Sequence, residues 1–504
     1  MGKIAGAILQ AALRANGFLN KPSQPLQQQQ QKVLYQLLQR AAHTAFGKHY
    51  LFSHWLTMPA HEQYQAFAQT IPLHTYEQMF TQWWHRIITG EPSVCWPGIT
   101  RYMALTSGTS MAGSKYIPLT PQSMSSVKQA GLQLATALAA RPGLSGLFGL
   151  KTISIGGSTR LSNQGAVQVG DFSGIMMRQN PGWYQRLIIP PPAIHALKQW
   201  PQKLEYLVEC APQFNPGSVS GFPVWVVPLL QAIISRYKLA HIHQLWPGLQ
   251  VYLYGGMAVQ PYQSSLQACF GKPVHLFETY VASEGYIAHQ TVPGQPGMQL
   301  VANGGLFMEL VPFNHQNFDH NGQPLPLARA IPLWQANVHQ PYALVLSGNN
   351  GTWRYLLGDV ISVTSLQPPT ISWLGRTSQF LNLAGEHLSI ANLEAAFAQA
   401  ALQLGLPLQN FAVQGITQTL PPCHTWWVQS SGPTPLLAAA LDAELAKVND
   451  DYAALRAQGV LASPQVKNLP ANQYLAWMHK LGKTDAQHKY PRVVTEAQVL
   501  GLEG

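Results

Sequence analysis

The ten residues from Thr106 to Lys115 read T-S-G-T-S-M-A-G-S-K and constrain the chain more than any other stretch. Five hydroxyl side chains, two glycines and one lysine follow the apolar run Tyr102-Met103-Ala104-Leu105 and precede Tyr116-Ile117-Pro118-Leu119-Thr120. Glycine lets a backbone close around a ligand, hydroxyls and free N–H groups donate to phosphate oxygens, and lysine adds a movable positive charge. The same composition suits a plain surface turn, so the surroundings must decide. Ser123 to Ala140 has the composition of a helix ended by Arg141-Pro142-Gly143, and Lys151 to Ile155 reads as a strand turning at Gly156-Gly157-Ser158.

Further on, Leu249 to Tyr254 reads as a strand running into Gly255-Gly256-Met257, and Pro261 to Phe270 as a helix. Val274 to Phe277 is the next strand, and it delivers Glu278-Thr279-Tyr280-Val281-Ala282-Ser283-Glu284-Gly285. Paired glycines after a strand let a flat ring approach the backbone, although strands also simply end that way. Strand, helix, strand with polar residues at the carboxyl end of the sheet is α/β logic. Gly305 to Val311 reads as a strand with Glu309 on one face, and Trp353 to Ile361 as a strand-like run interrupted by Gly358-Asp359. Upstream, residues 1–70 read as helical, with Gln27 to Gln31 as a polar bridge; the aromatics from Tyr64 through Tyr76 to Trp83-Trp84 pack this cap on the body. Val219 to Leu230 is ordinary core or the wall of an organic-acid pocket. Beyond Arg376 the texture changes to a helix over Asn392–Leu404, a strand around Trp426-Trp427-Val428, and an alanine-rich helix from Pro435 to Ala457.

With 504 residues, 46% of them hydrophobic and 10% charged, the chain has material for a large core in two unequal domains or three. The net charge of +10 is scattered without a basic run, which argues against nucleic acid and for anionic ligands such as nucleotides or carboxylic acids. Four widely spaced cysteines, Cys95, Cys210, Cys269 and Cys423, fit neither a disulfide framework nor a zinc site and point to a reducing compartment. The N-terminus lacks the sustained apolar core of a signal peptide, and no run of about twenty apolar residues exists. A cytoplasmic protein without membrane insertion is expected.

Taken together, these stretches resemble the acyl-acid amido synthetase family whose plant members respond to auxin, part of the adenylate-forming superfamily. T-S-G-T-S with K-Y-I-P at 106–118 resembles the phosphate loop, and T-Y-V-A-S-E at 279–284 the T-Y-x-x-S-E signature. R-Y-L-L-G-D at 354–359 resembles the ribose motif, G-R with G-E-H-L-S at 375–389 the hinge, and Q-H-K-Y-P-R at 487–492 the C-terminal element. Three departures stand out. Met111 and Ala112 occupy positions where the family loop has glycine, Leu356 replaces an arginine, and Thr377-Ser378-Gln379 lacks an acidic residue.

The resemblance implies an N-terminal adenylate-forming domain over 1–375, with mixed sheets plus helices. A hinge joins it to a smaller, mobile α+β domain over 376–504. It implies a monomer that uses ATP and Mg²⁺ to adenylate a carboxylic acid, then transfers the acyl group to an amine such as an amino acid. A thioester-forming ligase of the acyl-CoA type and an inactive binding protein of the same fold are the alternatives. Thr106, Ser107, Gly108, Thr109, Ser110 and Lys115 would hold the phosphates, and Glu284 the Mg²⁺. Gly255, Gly256, Met257, Thr279 and Tyr280 would surround the adenine, with Ser283 near the α-phosphate. Asp359 would accept the ribose hydroxyls, and Arg376 would stand at the hinge. Lys489 would reach in during adenylation, with Lys483 as its competitor.

Overall fold

The computed structural model describes residues 3–19, 24–106, 115–144, 146–257, 259–319, 322–377, 380, 381, 383, 384, 386, 388–406, 410–416, 418–429, 434–470, 473, 476, 477, 492–494 and 499. Among these residues a twelve-stranded mixed sheet carries the body. One half is parallel: Ile188–Ile189, Lys151–Ser154, Pro216–Ser220, Val251–Gly255 and His275–Ala282 lie side by side in that order. From His275–Ala282 onward the pairing is antiparallel, with the long hairpin of Tyr355–Leu366 and Pro369–Arg376 at the centre of that half and Ile331–Pro332 at its far edge. A second, four-stranded sheet holds Tyr102–Thr106 between Lys115–Leu119 and Val167–Asp171. The helix Pro121–Ala139 follows at once. Proline stands in its first turn, and the Thr120 hydroxyl accepts from Ser123 N at 3.1 Å while Ser123 Oγ accepts from Thr120 N at 3.0 Å.

The N-terminal helices clamp onto the large sheet much as the aromatics predict: Tyr64 packs on Phe307 and Trp334, and Trp84 on Tyr355. The Gln27–Gln31 bridge is a correction. It lies inside the helix Leu26–Ala41, and Gln30 is fully buried. The Gln30 amide donates to Ala302 O at 2.7 Å and accepts from Met308 N at 2.8 Å, so a buried polar group is satisfied by strand-end backbone.

Three further expectations change. The run through Gly358-Asp359 is one strand, Tyr355–Leu366, and the expected interruption survives within it as a bulge: Gly358 takes φ +82° where the register against Pro341–Gly348 shifts. The strand after Glu278 continues to Ala282, so Ser283 and Glu284 form the tight turn into Gly285–His289 rather than a loose strand end. The alanine-rich segment is two helices, Thr434–Val448 and Asp450–Ala457, because Asn449 leaves helical geometry and its side chain caps Tyr452 N at 2.7 Å.

A smaller C-terminal domain has its own core of Leu393, Phe397, Phe411, Trp426, Leu441 and Tyr452 around a four-stranded sheet. Arg492, the last residue of Q-H-K-Y-P-R, is buried there: its Nε donates to Glu394 Oε1 at 3.0 Å and its guanidinium lies 4.4 Å from the Phe411 ring centre. The last residue of that element is thus anchored in the core of the domain.

Candidate active site

The expected phosphate loop starts and ends on paired strands, with Thr106 directly opposite Lys115. Backbone pairing therefore fixes both feet of the loop. Ser107, Gly108, Thr109 and Ser110 lie outside the described residues, as do Met111, Ala112, Lys483 and Lys489. Lys115 sits with its ammonium 5.2 Å from the Tyr76 ring centre, and the Tyr76 hydroxyl accepts from Tyr116 N at 2.9 Å. Burial pulls the Lys115 pKa down, Glu77 and Glu284 oppose that, and Arg376 reinforces it. Tyr76, read from sequence only as a packing aromatic, is thus part of the site. Its sequence signal was masked by the run of other aromatics around it.

The other half of the site is built on the turn after Ala282 and on the central hairpin. Tyr280 OH donates to Asp359 Oδ2 at 2.6 Å. Asp359 and Arg376 are register partners on neighbouring strands, and Arg376 Nε lies 3.2 Å from Asp359 Oδ1. That contact has ion-pair distance without hydrogen-bond alignment, which leaves Asp359 Oδ1 buried and lacking a hydrogen-bond donor. Such an oxygen is suited to an incoming hydroxyl. Burial first, and Asp359 second, lift the Tyr280 phenol well above its ordinary pKa, so it keeps its proton and donates. Asp359 in turn holds Arg376 more firmly in its charged form.

Glu284 is buried, and burial raises its pKa to about 7 against the opposing pull of Arg376 and Lys115. Lys115, Glu284, Asp359, Tyr280 and Arg376 therefore act on one another across a single site, although they come from four segments of chain. Among the described residues no group of three or more His, Cys, Asp or Glu could cage a metal ion. A single carboxylate such as Glu284 is compatible with Mg²⁺, which takes one or two carboxylates and completes its shell with phosphate and water.

Gly255 is in register with Thr279, and a Cβ there would come within 2.2 Å of Thr279 O. Gly256 takes φ +72°. The glycine pair thus has a packing reason of its own, beside any approach to a ring; Met257 follows it directly, and Thr279 Oγ1 is spent on Tyr254 O at 3.0 Å. Ser283 stands in the turn beside Glu284. Glu278 has no role in the sequence reading: it pairs in register with Tyr254, and burial raises its pKa to about 7. Its signal was an acid set between apolar Phe277 and the Thr279-Tyr280 pair. Arg354 does not stand in for the missing arginine at Leu356. It is committed to Glu309 through Nε at 3.0 Å and Nη2 at 2.9 Å, and to Ala68 O and Ile71 O at 2.6 Å. Arg376 is the cation that sits on Asp359.

The architecture is that of adenylate-forming enzymes. It superposes on 2-hydroxyisobutyryl-CoA ligase in its postadenylation state with a TM-score of 0.57 at 12% identity, covering 93% of this chain and 89% of that one. It superposes more closely on GH3.15 acyl acid amido synthetase, with a TM-score of 0.74 at 19% identity over 95% of this chain and 93% of the other. The chain belongs to the GH3 family: residues 16–211 match its N-terminal domain, 299–376 its central domain and 391–498 its C-terminal domain. Indole-3-acetic acid-amido synthetase GH3.3 of Arabidopsis thaliana is 24% identical over 284 residues, 52% of this chain and 46% of that protein. Probable indole-3-acetic acid-amido synthetase GH3.2 of Oryza sativa subsp. japonica is 27% identical over 196 residues, 36% of this chain and 31% of that protein. The aligned stretches span less than half of these curated relatives, 31% of one and 46% of the other. Among the described residues no helix is long and apolar enough to cross a membrane.

Proposed function

We propose that this chain is an ATP-dependent acyl-acid amido synthetase, joining a small carboxylic acid to an amine, an amino acid in the first instance. The observation that carries the reading is the Tyr280–Asp359–Arg376 cluster, which leaves one buried Asp359 oxygen without a donor beside Glu284 and Lys115. In the first step a carboxylate oxygen of the acid attacks the α-phosphorus of ATP, the bond to the β-phosphate breaks, and pyrophosphate leaves. In the second, the amine nitrogen attacks the acyl carbon of the adenylate, the bond to AMP breaks, and the nitrogen releases a proton.

The residues contribute positioning and charge. Asp359 takes the ribose hydroxyls. Lys115 and the hydroxyl loop bind phosphate oxygens. Glu284 holds Mg²⁺, which neutralises charge on the phosphates when bound. Gly255, Gly256, Met257, Thr279 and Tyr280 border the adenine, and Ser283 lies near the α-phosphate. Lys489 enters from the C-terminal domain, divided from the rest near Arg376, and that domain rotates between the two steps. The chain is read as a cytoplasmic monomer; its four widely spaced cysteines support the reducing compartment.

The test is exchange of labelled pyrophosphate into ATP across a panel of aryl and alkyl acids. Acid-dependent exchange is expected, and its absence with every acid overturns the reading. Mass analysis of the product after adding amino acids, or coenzyme A in parallel, then separates amide from thioester.

A further inference from the structure

A cavity of about 90 Å³ opens away from the nucleotide cluster, lined by Thr159, Met177, Arg178, Gln185, Ile188 and His195 together with Pro190 and Pro192. It sits just past the carboxyl ends of two parallel strands, Lys151–Ser154 and Ile188–Ile189, where open α/β sheets place their ligands. Four strand spacings, about 19 Å, separate Ile188–Ile189 from the strand that bears Thr279 and Tyr280. The helix Phe172–Arg178 links it to the hydroxyl loop: the helix begins after Asp171, which pairs with Leu105, and delivers Arg178 about 10 Å further along.

The lining is mostly apolar with a few convergent polar groups, the pattern of a small-molecule site. His195 is 5% exposed and its Nε2 has no partner, while the ring's other nitrogen is engaged by the Pro190 carbonyl. Burial, with Lys203 nearby, lowers its pKa to about 4, so at neutral pH Nε2 is a lone-pair acceptor awaiting a donor. A buried acceptor of this kind is costly unless something occupies it. An ammonium donor would be repelled by Arg178 and Lys203, whereas a hydroxyl would not. Arg178 supplies a planar fork that matches a carboxylate, and Gln185 and Thr159 add further hydrogen-bonding groups.

We infer that this cavity binds a small hydroxycarboxylic acid, with its carboxylate on Arg178, its hydroxyl on His195 Nε2, and a short apolar body against Met177, Ile188 and Pro190. Nothing in this depends on ATP, so binding is measured on the full chain without nucleotide, and failure of pyrophosphate exchange leaves the test intact. Calorimetry with lactate and 3-hydroxybutyrate is compared with propionate and butyrate, which lack only the hydroxyl. The hydroxy acids should bind saturably and about tenfold or more tighter than their matched acids. Arg178→Ala should weaken both members of each pair by about tenfold or more. His195→Phe should abolish the preference for the hydroxyl while sparing carboxylate binding. Gln185→Glu places a like charge at the half-exposed rim and should also weaken binding, in a position where folding is not at issue. Absence of saturable binding, or equal affinities within each matched pair for the unaltered chain, overturns the inference. So does a hydroxyl preference that survives His195→Phe in a protein with an unchanged melting curve.

Discussion

Replacing Glu284 by glutamine should make the ligand-free protein more stable at neutral pH while destroying its Mg²⁺-dependent hold on ATP. The side chain is buried, and burial raises its pKa from 4.5 to about 7. Each tenfold change in proton affinity corresponds to about 1.4 kcal/mol, so ionising this carboxyl in the folded chain costs on the order of 3 kcal/mol. The sign follows from which state keeps the proton. Between pH 4.5 and about 7 the folded chain holds a proton that the unfolded chain has released. Stability is therefore full below 4.5, falls as pH rises to about 7, and stays low above it. Glutamine cannot ionise and removes this contribution. Melting temperatures across pH 4.5 to 8 should converge for the two proteins at the acid end and separate by several degrees at pH 8, with glutamine the more stable. A residual slope remains in the variant because Glu278, also at about 7, is untouched. Parallel pH profiles for the two proteins would refute the burial argument. Retained Mg²⁺-dependent ATP binding in the variant would refute the assignment of the metal contact.

Asp359→Ala should raise the Kd for ATP by about ten- to a hundredfold, from the loss of a hydrogen bond to a charged acceptor worth roughly 1.5–3 kcal/mol; unchanged affinity by calorimetry would remove the ribose assignment. Lys489→Ala should abolish adenylation and spare amide formation from a supplied acyl-adenylate, and equal loss of both steps would contradict its role. Arg354→Met should cost about 3–5 kcal/mol by stranding the buried Glu309 charge, with Glu309→Gln in the same chain restoring part of the loss. A penalty below about 1 kcal/mol in urea unfolding would show that Arg354 does not clamp Glu309 and the Ala68 and Ile71 carbonyls together.

What the sequence made legible was local. The apolar runs on either side of Thr106–Lys115, the glycines after Tyr254 and the acid at Asp359 each carry their signal within a few residues, so the strands and the ligand-facing turn could be placed in order. What stayed hidden depended on partners far along the chain. Nothing near Arg354 says that it pairs with Glu309 rather than with a ligand, and nothing near Gln30 says that its amide serves Ala302 and Met308. Glu278 was hidden by position: an acid next to a familiar motif reads as part of the strand edge until Tyr254 is seen across from it. The break at Asn449 was misread for the opposite reason. Asn449-Asp450-Asp451 is a legible helix start, and the alanines on either side outweighed it.

The pairing of Thr106 with Lys115 has a practical consequence. A segment whose two ends are clamped by backbone hydrogen bonds behaves as an exchangeable cassette. Residues 107–114 can be swapped for the loop of a relative, or changed in length, while Lys115 keeps its place over Tyr76 because the register of the strands, not the loop, sets it. The Met111-Ala112 departure can thus be studied by transplantation. A segment with glycine in place of Met111 or Ala112, grafted between the same two strands, reports on that change alone, with the rest of the proposed nucleotide site as a constant background.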